Sequence, residues 1–243
     1  MRDARRGRHG WRTLLLAFAS PLLLGNDGLE PETLLRDFEI IVFGAELGQQ
    51  PDGRLHKWRK PIRVYLDIRA GEAELYRRLT ADHLADLAEL TGLQIGLVET
   101  AAEANVVMVF DRDAHLLSSV AEHVPDLPGK DVVRSQAFCF AYFWHSRNSG
   151  EIIQAVVGIP SDRAASEGLL PHCIVEETTQ ILGLPNDSDD VYPSIFNDRS
   201  VFDFLTPHDR ALVRLLYDPR LPVGADQKEA LKTVRQLLRE QGF

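Results

Sequence analysis

Between Pro171 and Asp187 the chain reads PHCIVEETTQILGLPND, an apolar helix that carries two adjacent carboxylates and then stops abruptly. Pro in the first turn starts a helix well, while Gly183 and Pro185 end one and force the chain to turn back. Glu176 and Glu177 sit among Ile174, Val175, Ile181 and Leu182, so burying this helix requires partners for both carboxylates. Gln180 lies one turn beyond Glu176 on the same face. Gln180 and Asn186 can donate amide protons, so a polar network tying the helix to the following turn is expected, with Asp187 closing that turn through its own backbone.

The rest of the chain suits one large core. Its 243 residues are 44% hydrophobic and 26% charged, an ordinary globular composition. The start differs: Arg2, Arg5, Arg6, Arg8 and Arg12 precede the apolar run Thr13 to Leu24, which is short for a membrane span. Residues 1–25 therefore read as a signal peptide, or as a short retained anchor, and the protein is expected to be secreted or periplasmic. They carry five Arg and one Asp, a net +4, so the formal charge of −9 becomes −13 without them. Such acidity argues against nucleic acid and anionic membranes as partners, and no stable span is expected beyond the signal segment. Cys139 and Cys173 are the whole thiol inventory. In an exported chain an even pair is expected to be bridged, the alternative being two buried apolar thiols.

Periodicity orders the remainder. Residues 26–59 form an N-terminal extension with a short helix from Pro31 to Phe38. The main domain is expected over 60–225, with strands at 61–68, 93–98 and 105–110 and an amphipathic helix over 72–90 stopped by Gly92. A helix from Ala114 to His123 precedes a hairpin formed by 137–144 and 150–159. Its aromatic run is expected to pack in the core rather than to stack on bases. Thr206 caps a helix that has Pro207 at its first position, and a C-terminal helix over 226–243 packs on the domain. The fold class is α+β, helices on a mixed twisted sheet.

In the zinc-binding pattern HExxHxxGxxH, histidines stand where this chain has Glu176, Gln180 and Asn186, and the general base stands where it has Glu177. With Ser194-Ile195-Phe196 downstream, and Leu205-Thr-Pro-His-Asp209 leading to Leu216-Tyr217, the order resembles the zincins, particularly metzincins. Phe196 falls in the place of their Met-turn. More closely, the linked run from Cys173 to Asp198 is similar to the bacterial domain-of-unknown-function family 2927, grouped with the peptidase-like zincins. The resemblance implies a zincin-like fold with a degenerate active-site helix, an exported location, and no established activity.

The donor set argues against a metal at this helix. One carboxylate and two neutral amides suit Zn²⁺ poorly, and Ca²⁺ wants six to eight oxygens. No cofactor is expected there, Zn or Ca being the alternative. His172 reads as a solvent-facing residue near the helix start. The favoured reading is a non-catalytic binding or structural module of the cell envelope, a pseudo-metallopeptidase that takes a peptide or protein segment in its cleft. The alternative is an atypical metal-dependent hydrolase using Glu177 as general base.

Overall fold

The structure is a computed structural model, and it describes residues 30–45, 51–131, 133, 137–197, 199 and 202–241. The signal segment and Asp198 lie outside the described residues. Those described form an α+β fold with a mixed five-stranded sheet and seven helices. No helix among them is long and apolar enough to cross a membrane.

The strands are β1 (Ile62–Ile68), β2 (Ile95–Leu97), β3 (Val106–Asp111), β4 (Phe140–His145) and β5 (Ile152–Pro160), arranged in the order β2-β1-β3-β5-β4. The first four in that order run parallel, and β4 returns antiparallel along β5 to form one edge of the sheet. Side chains alternate across a strand, so β3, β4 and β5 each serve two cores at once. Met108, Phe110, Ala155 and Val157 face the larger core, whereas Val109 and Val156 face a smaller one under α3 (Leu116–His123), beside Val120 and Phe140. Phe140 also pairs with Gly158 across the ladder, and its ring fills the space a Cβ on that glycine would need.

The remaining helices close the larger core. They are α1 (Pro31–Phe43), α2 (Ala73–Thr91), α4 (Ser161–Glu167), α5 (Leu170–Gln180), α6 (Pro207–Tyr217) and α7 (Gln227–Gln241). Within residues 26–59, α1 runs five residues beyond the expected Phe38, and its Leu34, Phe38 and Ile41 are fully buried in the same core as the sheet. It packs on α6 and α7. Asp37 from α1 and His208 from α6 face each other within this core at 3.0 Å. The cap on α6 forms as its sequence suggests: Thr206 Oγ1 accepts from the Asp209 backbone N–H, while the Asp209 carboxylate accepts from the Thr206 N–H. Cys139 and Cys173 form a disulfide that ties the approach to β4 to the first turn of α5.

Candidate functional site

Helix α5 is buried almost throughout, with Glu176, Glu177 and Gln180 at 6%, 4% and 6% exposure. Its end tightens into i→i+3 bonds, from the Leu182 N–H to the Thr179 carbonyl and from Gly183 to Gln180. Gly183 has φ +111°, and a Cβ there would lie 2.0 Å from the His56 carbonyl oxygen. Both the left-handed backbone and the close approach require glycine.

The polar residues of α5 each take a partner of their own. Glu176 Oε2 lies 3.1 Å from His172 Nε2, one turn back. His172 Nδ1 reaches the Phe202 carbonyl at 3.1 Å, so the ring is mostly enclosed rather than solvent-facing as its sequence position suggests. Burial alone would lower the His172 pKa, but the hydrogen bond and charge of Glu176, then the Phe202 carbonyl, raise it on balance. Gln180 Nε2 donates to Asp187 Oδ1 at 3.0 Å, and Asn186 Nδ2 donates to the Ile40 carbonyl at 3.1 Å, at the end of α1. The amides expected to serve the two glutamates thus reach the turn and α1. In the same helix, Thr179 Oγ1 donates to the Val175 carbonyl and so accepts from His83 Nε2 of α2 at 3.1 Å.

The Ser194 to Phe196 turn is anchored on the cap of α6. Asp209 accepts from Ser194 Oγ at 2.6 Å, from the Ile195 N–H at 3.2 Å, and from both the N–H and hydroxyl of Thr206 at 2.8 Å. Burial pushes the Asp209 carboxyl up against the pull of these four donors. Phe196 is fully buried where the turn enters the core.

Segment 51–58, a turn at Pro51-Asp52-Gly53 followed by the end of the expected N-terminal extension, lies against the end of α5. Trp58 Nε1 donates to the Ile181 carbonyl at 2.7 Å, and Tyr217 Oη donates to the Leu182 carbonyl at 2.9 Å. Lys57 Nζ donates to the carbonyls of Leu216 at 2.9 Å and Leu221 at 2.6 Å, satisfying the last turn of α6. Its ammonium is pushed down to about 8 by burial, with the Asp218 charge opposing. The same segment brings Asp52 and His56 to His145, at the end of β4. A cavity of about 250 Å³ opens here, lined by Val42, Gly44, Arg54, Tyr142, Phe143 and Pro185 among others. Burial and then the neighbouring His56 hold the His145 imidazole below its ordinary pKa. Asp52 is pulled down despite partial burial, first by its hydrogen bond with His56 and then by the Arg54 N–H.

Among the described residues, two sets of three ligand-type side chains have donor atoms within 4.8 Å of one another: Cys139, Glu176 and Glu177, and Asp52, His56 and His145. In the first set the sulfur is spent in the disulfide and offers no thiolate. Glu177, the general base of the hydrolase alternative, therefore stands beside a disulfide and a second carboxylate, with no imidazole in its set. Glu176, Gln180 and Asn186, the degenerate positions of the zinc pattern, contact His172, Asp187 and the Ile40 carbonyl respectively; the set of Asp52, His56 and His145 is one that spacing could not reveal, since Asp52 and His56 are four residues apart but His145 comes from the far end of a hairpin.

A family model described as "Protein of unknown function (DUF2927)" matches residues 31–236. No curated protein matches the chain.

Proposed function

The chain belongs to this family of proteins of unknown function, and we propose that it acts as an exported, non-catalytic binding module of the cell envelope, taking an extended peptide or protein segment along β4. One observation carries the reading. β4 is an edge strand, and among the described residues no strand pairs with its outer side. An edge of this kind presents a row of main-chain donors and acceptors that an incoming strand can complete, and the neighbouring cavity offers a pocket for one of its side chains. A zincin-like origin is supported by the frame of α5 and by the position of this edge beside it, the place where peptidases of that type hold substrate. Loss of activity is supported by the disulfide beside Glu176 and Glu177 and by Glu176, Gln180 and Asn186 standing where the zinc pattern has histidines.

Screening the purified protein against a peptide array tests the reading. Binders are expected whose affinity falls at least tenfold when alternate backbone nitrogens are methylated, because strand addition depends on main-chain hydrogen bonds. An array without binders, or binders indifferent to backbone methylation, overturns it. The hydrolase reading would require peptide cleavage that is abolished in Glu177→Gln.

A further inference from the structure

His56 is held with its two ring nitrogens facing two acceptors. Nδ1 lies 3.0 Å from the Gly150 carbonyl oxygen, and Nε2 lies 3.0 Å from Asp52 Oδ1. A carbonyl can only accept, so Nδ1 carries a hydrogen. A ring protonated on both nitrogens donates to both acceptors, whereas a neutral ring turns its Nε2 lone pair towards the carboxylate, an arrangement that a bridging metal cation satisfies equally. The second imidazole supplies the next donor: the His145 ring stacks on His56 with centroids 3.8 Å apart. His145 Nδ1 is shielded from solvent and has no hydrogen-bond partner. A ladder irregularity falls between Trp144 and His145, and such a bulge re-aims the side chain that follows it.

We propose that Asp52, His56 and His145 form a binding site for a divalent transition-metal ion, Zn²⁺ or a close relative, at the mouth of the cavity beside β4. Two imidazoles and one carboxylate are a donor set that suits such ions. The Gly150 carbonyl fixes the tautomer of His56 from behind, the role that outer hydrogen bonds play for metal-bound histidines. Zn²⁺ bonds of about 2.0 to 2.2 Å place donor atoms roughly 3.3 to 3.6 Å apart. The present separations, all within 4.8 Å, reach that spacing by small side-chain rotations that part the stacked rings. Three protein ligands leave a fourth position facing the cavity for an exchangeable ligand. The site is separate from Glu176, Gln180 and Asn186, and its existence does not depend on peptide binding.

Equilibrium dialysis of untagged protein against Zn²⁺, followed by metal analysis, tests the proposal, with Co²⁺ absorption reporting coordination number. One equivalent is expected, with a tetrahedral Co²⁺ spectrum. Affinity should fall at least tenfold in Asp52→Asn and 100-fold in His56→Ala or His145→Ala, but stay unchanged in Gln180→Ala. Asp52 is exposed, so its variant reports on the site even if a histidine variant folds poorly. Substoichiometric metal in the parent protein overturns the proposal, leaving a proton on His56 as the cation. Binding that survives Asp52→Asn together with His145→Ala overturns it as well.

Discussion

Ser194 and Asp209 are joined by a 2.6 Å hydrogen bond that makes one carboxylate serve both a loop and a helix start. The same Asp209 closes the capping box with Thr206 and holds the Ile195 N–H. The turn that delivers Phe196 to the core is thereby fixed to α6. Replacing Asp209 with Ala leaves buried donors without an acceptor, and is expected to cost about 3 to 5 kcal/mol. Ser194→Ala removes one of the four donors to Asp209 and the acceptor of the Phe196 N–H, and should cost about 2 kcal/mol. Urea unfolding measures both; equal losses would show that the carboxylate does not join the two elements.

Gly183 and Gly92 separate backbone strain from crowding. Gly92 has φ +70°, and no described atom lies within 4 Å of where its Cβ would stand, whereas Gly183 has φ +111° and the His56 carbonyl in the way. Gly92→Ala should cost about 1 kcal/mol, the ordinary penalty of a left-handed residue. Gly183→Ala should cost more than about 3 kcal/mol, because the 51–58 segment must also move. Comparable losses in the two variants would contradict the close approach.

The Cys139–Cys173 bridge closes a sequence separation of 34 residues. Chain-entropy reasoning for a loop of that size gives about 4 kcal/mol of stabilisation. Cys139→Ser with Cys173→Ser should lose about that much in denaturant unfolding. A loss below about 1 kcal/mol would mean that the bridge leaves the unfolded chain no more constrained.

His83 should make the protein acid-sensitive. Burial holds its pKa down to about 4 from an ordinary 6.5. Between those values the unfolded chain binds a proton that the folded one refuses, so stability is full above pH 6.5 and falls as pH drops towards 4. The shift corresponds to at most about 3 kcal/mol. Comparing stability at pH 7 and pH 4.5, His83→Gln should narrow the difference by about 2 kcal/mol. His172 works in the opposite sense: with a raised pKa, its contribution is full below pH 6.5 and is lost as pH rises through the folded value. An unchanged acid difference in His83→Gln would refute the buried neutral state.

Local signals carried much of the fold. Alternation marked β1 and the β4–β5 hairpin, the three-and-four spacing marked α2, and Thr206-Pro207 marked the start of α6, because each is a property of neighbours in sequence. Burial in α5 was legible from its apolar run. The partners of its polar groups were not: Asn186 bonds Ile40, and His172 bonds Phe202, across long stretches of chain. Lys57 and Trp58 likewise gain their roles only when they meet the carbonyls of α6 and of Ile181.

The sequence by itself determined most of the elements and their order, the family, and the replacement of the histidines of the zinc pattern in α5, because these rest on residue type and short spacing; the short α4 carried no such signal. Only the tertiary structure decided why Gly183 must be glycine, which carboxylate meets which histidine, and that Asp52, His56 and His145 converge. Those facts depend on where the 51–58 segment, the end of α5 and the end of β4 lie relative to one another. Packing of the whole sheet and its helices sets that arrangement, and no local propensity encodes it.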